Sequence, residues 1–73
     1  MSDSARVTIP QIVCSRWVDA VAKDNAMNWR ALSILAYTES EFIRENESDH
    51  ILAAALRGIS ATAHDNYMRM MLN

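Results

Sequence analysis

One proline, one glycine and one cysteine in 73 residues leave the chain few places to turn, and each scarcity removes a class of structure. A lone Cys14 forms no internal disulfide, so a disulfide-stapled scaffold is excluded, and Cys14 itself is expected to be a small buried or half-buried hydrophobe. A single Gly58 cannot supply a glycine-rich phosphate loop, and no G-x-S-x-G, H-x-x-x-H or C-x-x-C spacing occurs. His50 and His64 lie fourteen positions apart. At about 1.5 Å of rise per residue that is roughly 21 Å along a helix, too far to share one ion. No metal, no cofactor and no enzymatic activity are therefore expected.

Long apolar runs are also missing. Nothing approaches the roughly 18 residues needed to span a bilayer, and the opening MSDSARVT has no signal-peptide core, so a cytoplasmic location is expected. No basic stripe exists. Residues 1–30 hold four basic and three acidic groups, a balance of +1, whereas residues 31–73 hold three basic and six acidic groups, a balance of −3. Binding driven by phosphate contacts lacks its usual footprint, and nucleic acid is not an expected partner.

What the chain does contain is helix-forming chemistry. The apolar share is 51%, and Ala, Leu, Met, Arg and Glu are frequent. The stretch from Ser48 to Leu72 carries the clearest period: Leu52, Leu56, Ile59, Ala63, Tyr67 and Met70 recur at steps of three and four. Beside them runs a line of very small residues, Ala54, Gly58 and Ala61, which would let another helix come close. That partner is either the second helix of the same chain or the third helix of a second copy.

Taken in order, residues 1–7 are polar and expected to be disordered. Thr8 with Gln11 makes a T-x-x-Q capping box, and Pro10 suits a first turn, so the first helix is expected over residues 9–23. Val13, Trp17, Ala20 and Val21 share one face, with Trp17 as the core anchor. Asp24, Asn25 and Asn28 favour caps over helix interior and mark a break, although no Gly or Pro forbids one continuous helix. The second helix is expected over 26–45. Trp29, Leu32, Ala36 and Ile43 form one apolar line and Ala31, Ile34, Leu35, Thr38 and Phe42 a neighbouring one, wide enough for two partners. Asn46 or Ser48 would cap a third helix over 49–71, and the short connection makes the last two helices an antiparallel hairpin.

The fold expected is thus all-α: three helices in one domain over residues 1–73. A chain this short buries only about 60% of its unfolded surface, and small scaffolds need an extra source of stability. With no disulfide or metal, dimerisation into a larger helical bundle is the expected one, and Ala54, Gly58, Ala61 and Trp29 are expected either at the dimer contact or in tight helix packing within the chain.

Two surfaces are candidates for a protein partner of unknown identity. Met68, Met71 and Leu72 form an apolar patch off the core stripe, and methionine adapts to irregular surfaces. Glu39, Glu41 and Glu45 are the second candidate. They gather near a helix C-terminus, where the macrodipole disfavours negative charge, so they point to a role outside local stability. The functional expectation is a small non-enzymatic interaction module, a regulator or inhibitor of the type encoded by phages and mobile elements. The alternative is a helix-turn-helix DNA-binding regulator, loosely matched by Ala31-Leu32, Leu35-Ala36 and Phe42. Against it, Ala36 stands where the turn usually takes glycine, and Glu39, Glu41 and Glu45 would face phosphates.

Overall fold

Pro10 decides where the first helix begins. The residue before a proline is driven towards extended conformations, so Ile9 cannot be helical, and Pro10 itself sits at φ −54, ψ 141 as the N-cap. Its carbonyl accepts from the amides of Val13 at 3.0 Å and Cys14 at 3.1 Å. Helix α1 is therefore Gln11–Lys23, two residues later than the sequence pattern suggests. The capping box at Thr8 and Gln11 does not form. No side chain caps this helix, and the Gln11 amide donates instead to Ser15 Oγ at 3.2 Å.

The computed structural model describes residues 8–72; the disorder expected of residues 1–7 falls outside the described residues. Two further helices follow, α2 over Ala26–Asn46 and α3 over His50–Leu72, and no strand occurs among the described residues.

The break between α1 and α2 is made by two side chains. Asp24 takes the left-handed conformation, φ 48 and ψ 52, and its amide donates to the Ala20 carbonyl at 2.8 Å. Asp and Asn tolerate this conformation better than other side chains. Asn25 then reverts to extended backbone, and its Oδ1 accepts from the Asn28 amide at 3.0 Å, a side-chain N-cap. At the second break, Ser48 adopts φ 56 and Asp49 Oδ1 accepts from the Leu52 amide at 3.0 Å. Asp49 is thus the cap of α3. Neither Asn46 nor Ser48 serves, because the Asn46 side chain turns back to donate to the Phe42 carbonyl at 2.9 Å.

Helix α2 is the middle of the molecule. It packs against both α1 and α3, while no Cα of α1 comes within 8 Å of one in α3. The buried set is Val13 and Ala20 from α1, Trp29, Leu32, Ala36 and Ile43 from α2, and Ala53, Leu56, Ile59 and Ala63 from α3. Tyr67 and Met70 are half-buried against it. Two serines join this core. Ser33 Oγ donates to the Arg30 carbonyl at 2.9 Å and Ser40 Oγ to the Tyr37 carbonyl at 2.7 Å, each one turn back on α2. A serine satisfied in this way is nearly as small as alanine and allows close packing. Ser60 of α3 donates to the Ser33 carbonyl at 2.8 Å, a direct bond between the two helices.

Among the described residues, nothing packs tightly on Ala54, Gly58 and Ala61. All three are exposed, and a Cβ added at Gly58 would meet nothing within 4 Å. Packing against α2 uses Ala53, Leu56 and Ala63, nearly on the opposite side of the helix, because that stripe carries the bulk that fills the core. Trp29 is 8% exposed within its own chain, with its indole Nε1 donating to Asp24 Oδ1 at 2.9 Å, so it packs tightly at the α1–α2 corner.

Candidate interaction surfaces

Three helices in which only the middle one has two neighbours must leave faces of the outer two uncovered. On α1, Val13 and Ala20 are seven positions apart and turn towards α2. At about 100° per residue, Val18 and Ala22 then face away from it, and Cys14 and Val21 point to the side. Together with Trp17 they line an open apolar depression of about 490 Å³ without a charged residue. Trp17, expected as the core anchor, is 38% exposed, and Val21 is exposed too. The reason is topological: among the described residues no third layer lies over that side of α1. Cys14 is half-buried, as expected, and its thiol lies 3.7 Å from the Ile9 carbonyl.

On α3 the uncovered face is longer. Ile51, Ala54, Gly58, Ala61, Asp65, Met68 and Leu72 follow one another at steps of three and four, and every one is exposed. Ile51 and Leu72, at the two ends, are 67% and 80% exposed. Of the expected apolar patch, Met68 and Leu72 fall on this stripe, while exposed Met71 lies to one side.

The acidic group is less available than its density in the sequence suggests. Glu41 receives Arg44 at 2.6 Å, one turn along α2, and Arg57 of α3 at 3.4 Å. Arg44 also lies 3.7 Å from Glu45. The hydrogen bond from Arg44 holds the Glu41 carboxyl below its ordinary value, and the same bond raises the Arg44 guanidinium. Glu41 is therefore committed inside the chain, Glu39 is half-buried, and Glu45 alone of the three is both exposed and near the end of α2. Arg57 does double service, with its guanidinium 5.3 Å from the centre of the Tyr37 ring. Tyr37, Arg57, Ser60, Ala61 and His64 line a shallow groove between α2 and α3.

His50 and His64 are both exposed, and the His64 ring lies 6.2 Å from that of Tyr67. Among the described residues no group of three or more His, Cys, Asp or Glu side chains is placed to hold a metal ion. No helix among them is long and apolar enough to cross a membrane. The positions matched to a helix-turn-helix, from Ala31 to Phe42, all lie inside the uninterrupted α2, so no turn occurs at Ala36.

Sequence reasoning missed the α1 depression because Trp17 and Val21 were assigned to the core. It missed the length of the α3 stripe by stopping at the small residues, although continuing the same steps reaches Ile51 in one direction and Asp65, Met68 and Leu72 in the other. No family model matches the chain, and no curated protein or solved structure matches it.

Proposed function

We propose that this chain is a single-domain, non-catalytic protein-interaction module that binds a partner protein and works as a homodimer. The observation that carries the reading is the uncharged depression lined by Cys14, Trp17, Val18, Val21 and Ala22, on a flank of α1 that no other helix among the described residues covers. An aromatic side chain in an apolar recess is the usual core of a protein-binding hot spot. In this reading α2 and α3 form an antiparallel hairpin. What supports it is the order of their contacts, Ser60 with Ser33 and Arg57 with both Tyr37 and Glu41, in which one number falls as the other rises. The exposed Met71 and Glu45 side chains extend the contact surface in this reading.

A photo-crosslinking residue at Val18, in cells that naturally express the chain, tests the reading. Position 18 should give a discrete adduct with another polypeptide, and the same probe at Arg16, on the opposite side of α1, should not. Equal labelling at both positions would remove the α1 face from the proposal. A shift of mixed-sequence DNA at low salt that collapses as salt rises would favour the DNA-binding alternative.

A further inference from the structure

We infer that a second copy of this chain covers the outer face of α3, with the two α3 helices antiparallel and crossing at Ala61. The inference rests on the homodimer of the proposed function and specifies its geometry.

The stripe runs along the exposed side of α3 from Ile51 to Leu72, with Ala61 at the edge of the groove towards α2. At about 1.5 Å per residue that is roughly 32 Å, the length of the whole helix. An isologous contact on it must bring the same surface to both sides of a two-fold axis. With the axis at Ala61 and the helices antiparallel, positions equally far before and after Ala61 meet. Large then meets small or apolar. Met68, seven after, meets Ala54 of the partner subunit, seven before. Leu72 falls beside Ile51 of the partner subunit. The most exposed apolar groups at the two ends of the stripe are thereby covered by each other.

Charge selects the same arrangement. Asp65 is the only charged residue on the stripe, four positions after Ala61, and Arg57 stands on its flank four positions before. The antiparallel crossing sets Arg57 against Asp65 of the partner subunit, twice by symmetry. Arg57 is about half exposed with Glu41 at 3.4 Å, and a guanidinium has donors enough to bridge both carboxylates. A parallel crossing would set Asp65 against its own copy in an apolar seam, where like charges are disfavoured. The other occupant within the chain is poorly suited. Residues 1–7, MSDSARV, offer little beyond Met1 and Val7 to a stripe with Ile51, Met68 and Leu72 on it.

Single-cysteine cross-linking in the full chain tests this. In a Cys14→Ser background, Ala61→Cys should link two copies efficiently with a short bis-maleimide. Ala54→Cys should not, because the antiparallel crossing holds the two copies of position 54 about 21 Å apart at 1.5 Å per residue. Sedimentation equilibrium should give a dimer in the micromolar range. Asp65→Lys should raise its dissociation constant at least tenfold while leaving the helical circular dichroism unchanged, and adding Arg57→Glu should recover part of the loss, the remainder reflecting the Arg57 pair with Glu41. Efficient linking at 54 overturns the antiparallel crossing. A dimer that links at neither position, or ignores Asp65→Lys, forms through another face and overturns the pairing while leaving the homodimer standing. A monomer throughout the micromolar range overturns both, and the stripe then belongs to a foreign protein.

Discussion

Asp24 is the residue on which the α1–α2 corner turns, and three substitutions there separate what it does. It supplies a tolerated left-handed backbone, φ 48, and an acceptor for the indole of nearly buried Trp29 at 2.9 Å. A hydrogen bond to a charged group contributes about 1.5–3 kcal/mol when buried; this one is only part-buried, so the low end applies. A left-handed conformation costs an ordinary L-residue about 1–2 kcal/mol. Asp24→Asn keeps both features and should lose less than about 1 kcal/mol. Asp24→Gly keeps the backbone and loses the acceptor, a loss of about 1–2 kcal/mol. Asp24→Ala loses both, a loss of about 2–4 kcal/mol. Against a total stability of about 4–11 kcal/mol for a chain of this length, the last is a large share. Urea denaturation at fixed chain concentration, followed by far-ultraviolet circular dichroism, reads the series. Equal losses for Gly and Ala would refute the backbone argument. Wild-type stability for Gly would refute the Trp29 bond. A third outcome is informative: if Ala fuses α1 and α2 into one long helix, the radius of gyration rises above 13.0 Å with helicity retained.

Leu56 is fully buried, so Leu56→Ala should lose about 2–5 kcal/mol in the same assay, whereas Met27→Ala, at a site 71% exposed, should stay within about 0.5 kcal/mol. Ser60→Ala removes the bond to the Ser33 carbonyl, but that carbonyl keeps its partner within α2, so the loss should sit at the low end of about 0.5–1.5 kcal/mol; a larger loss would mean that the hydroxyl also packs. Because the folded Glu41 carboxyl lies below its ordinary 4.5, its pairing contributes stability above that pH and the contribution fades as pH falls through the lowered value. Glu41→Gln should therefore lower stability at neutral pH and flatten the acid limb of the urea midpoint against pH, and an acid limb as steep as the wild type's would show that other carboxylates set it.

The helices were legible because their signals are local. Leu52, Leu56, Ile59, Ala63, Tyr67 and Met70 repeat at helical spacing, and all six are buried or half-buried as that spacing implies. The break at Asp24 and Asn25 was legible from side chains that cap. The start of α1 was misread because Thr8 and Gln11 satisfy a capping pattern while Pro10 acts on Ile9 more strongly than the box acts on Thr8. The buried serines were not legible. Ser33 and Ser40 read as polar, and only the carbonyls one turn back make them part of the core.

The exposed faces were the hardest to read, for a reason that periodicity cannot remove. Helix α1 carries apolar groups at Val13, Trp17, Val18, Ala20 and Val21, and α3 carries them on both its inner and outer stripes. Each helix therefore has two faces capable of packing, and its own sequence does not rank them. The choice is made by α2, whose buried line from Trp29 to Ile43 takes Val13 and Ala20 on one side and Leu56 and Ala63 on the other. Glu41 shows the same logic in charge. Its neighbour Arg44 could be read from the chain, but Arg57, sixteen positions on, reaches it only once α3 lies against α2. Whatever apolar surface the middle helix leaves over is then a property of the assembled fold. That is why the depression at Trp17 and the stripe through Ala61 emerge as surfaces only after the core residues have been assigned.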